Sequence, residues 1–340
     1  MKKIDNRDII IKTYFNIQGG YKMAIKTRKI VIVGSGHVGS HCGFALATQG
    51  VCDEIIMVDI DEEKANSQAV DISDAVAYLP HHIEVRCGNL EDCSDADIVV
   101  ISAGPLPMKD QTRLDTLGAT LEVINTIIDP IVKSGFSGII VSISNPCDII
   151  AHYIWKKTGF PKNRVIGTGT ALDSSRLRRI LASEIGIDQK SIQAYSMGEH
   201  GDSQMVSWSH VSIGGKPIFD LIKEKPDTYG KLDLIDIVKR TAYAGWVVLN
   251  GKGSTEFGIG TALTELVKTI LHDEKKILPC STLLEGEYGQ ENIFASVPAI
   301  LGKNGVEEVI EINLTEQEQE EFNKTCDIIQ DYIEKAKTIN

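Results

Sequence analysis

The chain has 340 residues, 42% hydrophobic and 24% charged, with a formal net charge of -12 at pH 7. That is the composition of an ordinary globular protein with room for two packed lobes. The acidic balance argues against a nucleic-acid partner, which would need concentrated Lys and Arg. No apolar run approaches the roughly 18 residues of a membrane span. The cysteines at 42, 52, 87, 93, 147, 280 and 326 are scattered, odd in number and never in a Cys-x-x-Cys pair. Such spacing fits unlinked thiols in a reducing compartment rather than a disulfide framework or zinc site. Residues 1–28 mix Lys, Asp and Asn into a few aliphatics and lack the continuous apolar segment of a secretory signal. A cytoplasmic protein with an N-terminal extension over 1–28 is expected.

Lys29-Ile-Val-Ile-Val33 is a β-branched run that stops at Gly34 and predicts a buried strand. Similar runs follow at 55–58, 97–101 and 138–143, with helical segments at 40–49, 61–78 and 114–134 between them. Strands alternating with helices imply an α/β fold, a doubly wound Rossmann-type parallel sheet covered on both faces. From about 169 the texture becomes mixed α+β: helices at 171–185, 233–250 and 261–272, and strand-like pieces around 205–213, 294–300 and 306–312. Thr315-Glu316-Gln317-Glu318 is a capping box that opens a long amphipathic helix running nearly to the C-terminus. The expected division is 1–28 extension, 29–168 nucleotide-binding domain and 169–340 substrate-binding domain.

Gly34-Ser35-Gly36-His37-Val38-Gly39 lies between a predicted strand and helix. Glycines at this spacing permit a tight turn and close backbone approach, so a pyrophosphate can sit on the helix N-terminus. Asp59, at the end of the second strand, can accept hydrogen bonds from a ribose diol and would repel a 2′-phosphate. NAD is therefore favoured over NADP as cofactor. His37 and His41 are four apart, as zinc ligands can be, but no third ligand follows, and no metal site is expected.

Asp173 and Arg176, three apart on a predicted helix, share a face. Alone they would read as a solvated ion pair, and His200 in Gly198-Glu199-His200-Gly201-Asp202 as a structural loop histidine. Their company changes the reading. These segments, with Asn145-Pro146-Cys147-Asp148, Gly167-Thr168-Gly169-Thr170, Thr112-Arg113-Leu114-Asp115 and Leu284-Glu285-Gly286-Glu287-Tyr288-Gly289, closely resemble the L-lactate dehydrogenase family over about 28–338. The related L-2-hydroxyisocaproate dehydrogenases share much of the pattern, including a look-alike of Asn250-Gly251-Lys252-Gly253.

The resemblance implies roles. His200 would be the acid/base, Asp173 its orienting carboxylate, Arg176 the fork for the substrate carboxylate, and Arg113 a loop cation that polarises the carbonyl. Asn145 would hydrogen-bond the substrate oxygen, and Thr255 would line the pocket. On the cofactor side the pattern adds Gly34, Gly36, Val38, Gly39, Asp59, Lys64, Gly104, Ser144 and Thr168. A small 2-oxo or 2-hydroxy acid is the implied substrate and a homotetramer the implied assembly. A non-catalytic NAD-binding sensor, the alternative of another class, could have lost His200, Arg176 or Arg113. All three are present.

Two positions depart from the family. Pro107 stands where lactate dehydrogenases carry glutamine and malate dehydrogenases an arginine for the second carboxylate. A dicarboxylate would find little compensation there, although Lys109 is near, and the apolar Leu106-Pro107-Met108 stretch suits pyruvate or a longer aliphatic acid. Arg178 matches an arginine through which bacterial relatives bind fructose 1,6-bisphosphate, but Gln193 replaces the accompanying histidine. Reduced or absent activation is expected.

Overall fold

The computed structural model describes residues 26–105 and 114–339. Its largest sheet opens with β1 (Lys29–Val33), β2 (Glu54–Val58), β3 (Glu84–Cys87), β4 (Ile98–Ile101), β5 (Ile139–Ser142) and β6 (Val165–Gly167). Neighbouring strands run β3-β2-β1-β4-β5-β6, all parallel. The order reverses direction between β1 and β4, which opens a crevice at the carboxyl ends of the strands.

The strands read as unbroken apolar runs because both faces are buried. Ile30 and Ile32 of β1 point into a core shared with α1 (His37–Gln49), through Cys42 and Leu46, and with α8 (Phe257–Leu271), through Leu263 and Val267. Val31 and Val33 point the other way, into the core formed with α3 (Leu117–Lys133) and α4 (Cys147–Thr158) through Leu121, Ile124, Ile149 and Ile150. At 25 cal/mol per Å² of apolar surface, each such aliphatic contributes about 1.5–3 kcal/mol when fully buried. Helix α2 (Glu62–Val76) is capped by Asp61, whose carboxylate accepts from the Lys64 amide at 3.0 Å.

The same sheet continues into the second half through β12 (Lys276–Glu285), β13 (Glu291–Gly302) and β14 (Gly305–Val309), paired antiparallel. One bridge, Ser281 to Gly167, joins β12 to β6. The rest of this half is helical: α5 (Ala171–Ile185), α6 (Ile218–Glu224), α7 (Leu234–Lys252), α8 and α9 (Glu316–Ile339). Short strands β7 (Ile192–Gln193), β8 (Ser196–Met197), β9 (Met205–Val206), β10 (Ser212–Ile213) and β11 (Lys216–Pro217) lie between α5 and α6. The capping box forms as expected: Glu318 accepts from the Thr315 amide at 2.9 Å, and Thr315 Oγ1 accepts from the Glu318 amide at 3.3 Å.

Several elements depart from the sequence reading. Only 205–206 and 212–213 of the strand-like stretch 205–213 pair as strands, with a helical turn at Trp208–His210 between them. The stretch 306–312 is extended only to Val309. Helix α8 starts four residues before 261, and the segment from 114 begins with a 3-10 turn, Leu114–Thr116. β12 was not expected, because Pro279 in its middle argues against a strand. Pro279 lies opposite Pro298. The Pro298 carbonyl accepts from the Ile310 amide at 2.8 Å, on the β14 side, so this is a non-hydrogen-bonded pair and the missing N–H groups face away from the β12–β13 ladder. Helix α4 was also missed: it is buried on most faces and shows no amphipathic stripe. Burial, reinforced by Lys156, pushes the imidazole of His152 on that helix down to about 4. It is a neutral ring packed among Trp155 and Phe294.

All seven cysteines are free thiols, and the sulfur of buried Cys147 accepts the Gly169 amide at 3.3 Å. Among the described residues, no helix is long and apolar enough to cross a membrane.

Candidate active site

The expected cofactor residues gather where the sheet topology reverses. Gly34 follows β1, Asp59 follows β2, Gly104 lies beyond β4, Ser144 lies beyond β5 and Thr168 follows β6. Gly34 has φ 102°, and a Cβ there would lie 2.7 Å from the Ser102 carbonyl carbon. A Cβ on Gly39 would collide with the Gly34 carbonyl oxygen at 1.8 Å, so only glycine lets the turn close over the start of α1. At Gly36 the space is open, with Lys64 Nζ the one atom in reach, 3.8 Å from an added Cβ. This is a cradle that a diphosphate can enter.

Asp59 is already braced: its Oδ2 accepts from the Ser35 amide at 2.7 Å and its Oδ1 from the Asp61 amide at 3.1 Å. Each oxygen keeps a second lone pair for a ribose hydroxyl. Lys64 Nζ stands 4.0 Å from Asp59 Oδ2, between that carboxylate and the loop. The Ser144 hydroxyl donates to the Ala103 carbonyl at 2.5 Å, and Thr168 is buried beside the Cys147 thiol. Val38 is half-buried against the core.

The residues expected to do the chemistry meet at the head of α5. Asp173 is fully buried; its Oδ2 lies 2.5 Å from His200 Nδ1 and its Oδ1 accepts from Arg176 Nη1 at 2.8 Å. The three-residue spacing on α5 turns Asp173 and Arg176 to one side, and the loop after β8 brings His200 to them from 27 residues away. With Nδ1 committed to the carboxylate, Nε2 is the nitrogen left for a reacting group. Arg176 is only 7% exposed and, among the described residues, spends one N–H on Asp173. A buried guanidinium with most of its fork unused calls for an anionic ligand. Asn145, joined to Pro146 by a cis peptide bond, has a buried Oδ1 with no hydrogen-bond partner among the described residues. That atom also awaits a ligand. Gly258, three residues after Thr255, packs on Leu172 of α5, the helix that carries Asp173 and Arg176. Arg113 and Pro107 lie outside the described residues.

A second layer holds the histidine loop, and here the sequence reading gave the residues no role. The His200 amide donates to Asp148 Oδ2 at 2.7 Å, while Asp148 Oδ1 accepts from Ser296 Oγ at 3.2 Å. Burial pushes the Asp148 carboxyl up to about 6, against the hydrogen bonds it accepts. Thr325 of α9 accepts from the Glu199 amide at 3.0 Å, and its Cγ2 would lie 2.2 Å from a Cβ at Gly198. The sequence carried one signal: Asp148 interrupts the apolar run Cys147-Asp148-Ile149-Ile150-Ala151, and a carboxylate there must have partners.

A glycine cradle at the switch of a parallel sheet, beside a buried His–Asp–Arg cluster, defines a nucleotide-dependent dehydrogenase. Comparison with known proteins places it more closely. Residues 28–167 match the family model for the lactate/malate dehydrogenase NAD binding domain, and residues 170–339 match that for the lactate/malate dehydrogenase alpha/beta C-terminal domain. The chain belongs to the lactate/malate dehydrogenase family, and its cofactor is NAD. It is 47% identical over 311 residues to L-lactate dehydrogenase 3 of Bacillus cereus, covering 92% of this chain and 98% of that one. It is 46% identical over 314 residues to an L-lactate dehydrogenase of Fusobacterium nucleatum, with the same coverage of both chains. The minor L-lactate dehydrogenase of Enterococcus mundtii, solved with ligands bound, superposes with a TM-score of 0.87 at 38% identity, over 91% of this chain and 98% of that one.

Proposed function

We propose that the chain is an NAD-dependent L-lactate dehydrogenase that reduces pyruvate with NADH. The observation that carries the proposal is the buried cluster of His200, Asp173 and Arg176, one acid/base and one carboxylate fork sharing a single orienting carboxylate. Bound NADH supplies the hydride that reaches the carbonyl carbon. Everything else falls to this chain. Arg176 grips the substrate carboxylate with its unused N–H groups, and the Asn145 carboxamide binds the substrate oxygen. His200 gives its Nε2 proton to the carbonyl oxygen as negative charge develops there, and Asp173 keeps the ring in the tautomer and orientation for that transfer. In the reverse direction neutral His200 takes the hydroxyl proton. By the resemblance, Arg113 would add positive charge at the carbonyl, and Pro107 and Thr255 would set the preference for the substrate side chain.

Gly34, Gly36, Val38, Gly39 and Lys64 would hold the pyrophosphate end of NAD and Asp59 its ribose. Gly104, Ser144 and Thr168 would line the path toward the substrate. The chain would divide into a nucleotide-binding domain at 29–168 and a substrate-binding domain at 169–340, working in the cytoplasm. Exposed apolar side chains on α1 and α7, among them Phe44, Tyr243 and Val247, support assembly with further copies of the chain, to a tetramer as the resemblance implies. A groove of about 780 Å³ holds both Arg178 and Gln193, with Glu265 on its wall. Lys190 is its second cation, but Gln193 offers no charge and Glu265 opposes an anion, so weak or absent activation by fructose 1,6-bisphosphate is the reading we favour.

The test is chemical. Purified protein supplied with NADH and pyruvate should consume them one for one and yield the L enantiomer of lactate. NADH binding without turnover of any 2-oxo acid would mean a sensor rather than an enzyme.

A further inference from the structure

Helix α8 begins one residue after Glu256, and its first turns are wedged between two helices of the site. A Cβ on Gly258 would come within 2.8 Å of Leu172 Cδ1 on α5, the helix of Asp173 and Arg176. A Cβ on Gly260 would lie 3.1 Å from the His41 carbonyl oxygen on α1, the helix that opens at the glycine loop. Gly258 and Gly260 therefore pack this segment against the catalytic helix and the cofactor helix respectively.

Glu256 sits where this segment meets the loop. Its Oε1 lies 3.3 Å from Nδ1 of His37, the residue directly after Gly36, and its Oε2 is bound by Lys252 Nζ. The Lys252 ammonium also lies 4.1 Å over the Phe257 ring, and His41 meets the same ring edge-on at 4.8 Å. The Glu256 side chain is only 12% exposed, whereas His37 is 76% exposed. Lys252 holds the Glu256 carboxyl below the usual carboxylate range. As an isolated ion pair near the surface, this contact would contribute little to stability. Its placement is what gives it consequence: Glu256 is one residue from Thr255, and His37 is one residue from Gly36.

We propose that Glu256 is a positioning residue that ties the glycine loop, through His37, to the pocket segment at Thr255, so that ordering of the loop by the NAD pyrophosphate is passed to the wall receiving the 2-oxo acid. The proposal rests on the cofactor and pocket assignments above. The Glu256 carboxylate faces the His37 ring, and Lys252 fixes its other oxygen. Binding at the loop then stiffens a segment that packs against Leu172.

A double-mutant cycle tests the tie. At saturating NADH, Glu256→Ala and His37→Ala should each raise the KM for pyruvate about five-fold, with kcat falling less than about two-fold. The double variant should be no worse than either single one, and Glu256→Gln, which keeps an oxygen for His37, should recover most of the loss. Independently of turnover, NADH should slow amide hydrogen exchange at 255–260 in the wild type and in Glu256→Gln, and much less in Glu256→Ala. Equal protection in all three proteins, multiplicative losses in the double variant, or an unchanged KM in Glu256→Ala would each overturn the proposal. Failure of the functional reading shows separately, as a wild type that binds NADH but turns over no 2-oxo acid.

Discussion

His200→Ala is expected to lower kcat/KM for pyruvate by about 10⁴-fold while leaving NADH affinity, read by fluorescence titration, within about two-fold of the wild type. The size follows from what the imidazole does. A positioned general acid is worth 10²–10⁴-fold, and here nothing nearby can replace it. Asp173 is fully buried and pinned between Arg176 and His200, and Asp148 faces the His200 backbone amide rather than the ring. The NADH affinity is spared because His200 comes from the loop after β8, whereas the expected cofactor residues sit at the ends of β1, β2 and β4–β6. Near-normal turnover in this variant would remove His200 from the mechanism.

The second large effect is expected at Arg176. Arg176→Lys should raise the KM for pyruvate about 100-fold with a smaller loss in kcat, because two charge-assisted hydrogen bonds of about 1.5–3 kcal/mol each become at best one. Lysine is a better probe than alanine here. It keeps a positive charge beside buried Asp173, so the loss reads on substrate binding rather than on an uncompensated carboxylate. Initial-rate kinetics at saturating NADH separate KM from kcat, and circular dichroism checks the fold. A KM unchanged by the substitution would mean that the substrate carboxylate binds elsewhere.

Much of this was legible in the sequence because each signal was local. β1 announces itself by five apolar residues that stop at a glycine, and the Gly34–Gly39 spacing describes a turn complete in six residues. The Asp173–Arg176 pair needs only one helical turn to meet. What was hidden depends on distant partners. Ser296 reaches Asp148 from β13, 148 residues away, and Thr325 reaches Glu199 from α9. Nothing in the immediate neighbourhood of Ser296 or Thr325 distinguishes it from an ordinary buried hydroxyl. β12 was concealed by Pro279, which a strand tolerates here because its missing N–H faces away from β13. Helix α4 was concealed by burial on most faces, which erases the 3.6-residue alternation that marks a helix with one wet side. Glu256 is marked only by its contact with His37, a residue from the other half of the chain.

Under the proposed function, specificity turns on the side chain of the oxo acid, the end of the substrate that the family resemblance assigns to Pro107. The most direct test is therefore the set of kcat/KM values, with NADH saturating, for pyruvate, 2-ketoisocaproate, phenylpyruvate and oxaloacetate. Pyruvate should lead, with 2-ketoisocaproate behind it by a modest factor, since apolar pockets discriminate by about 1–3 kcal/mol per methylene. Oxaloacetate should come last, because its second carboxylate lacks a matched cation. Oxaloacetate at the head of the series, or no oxidation of NADH by any of the four acids, would contradict the account.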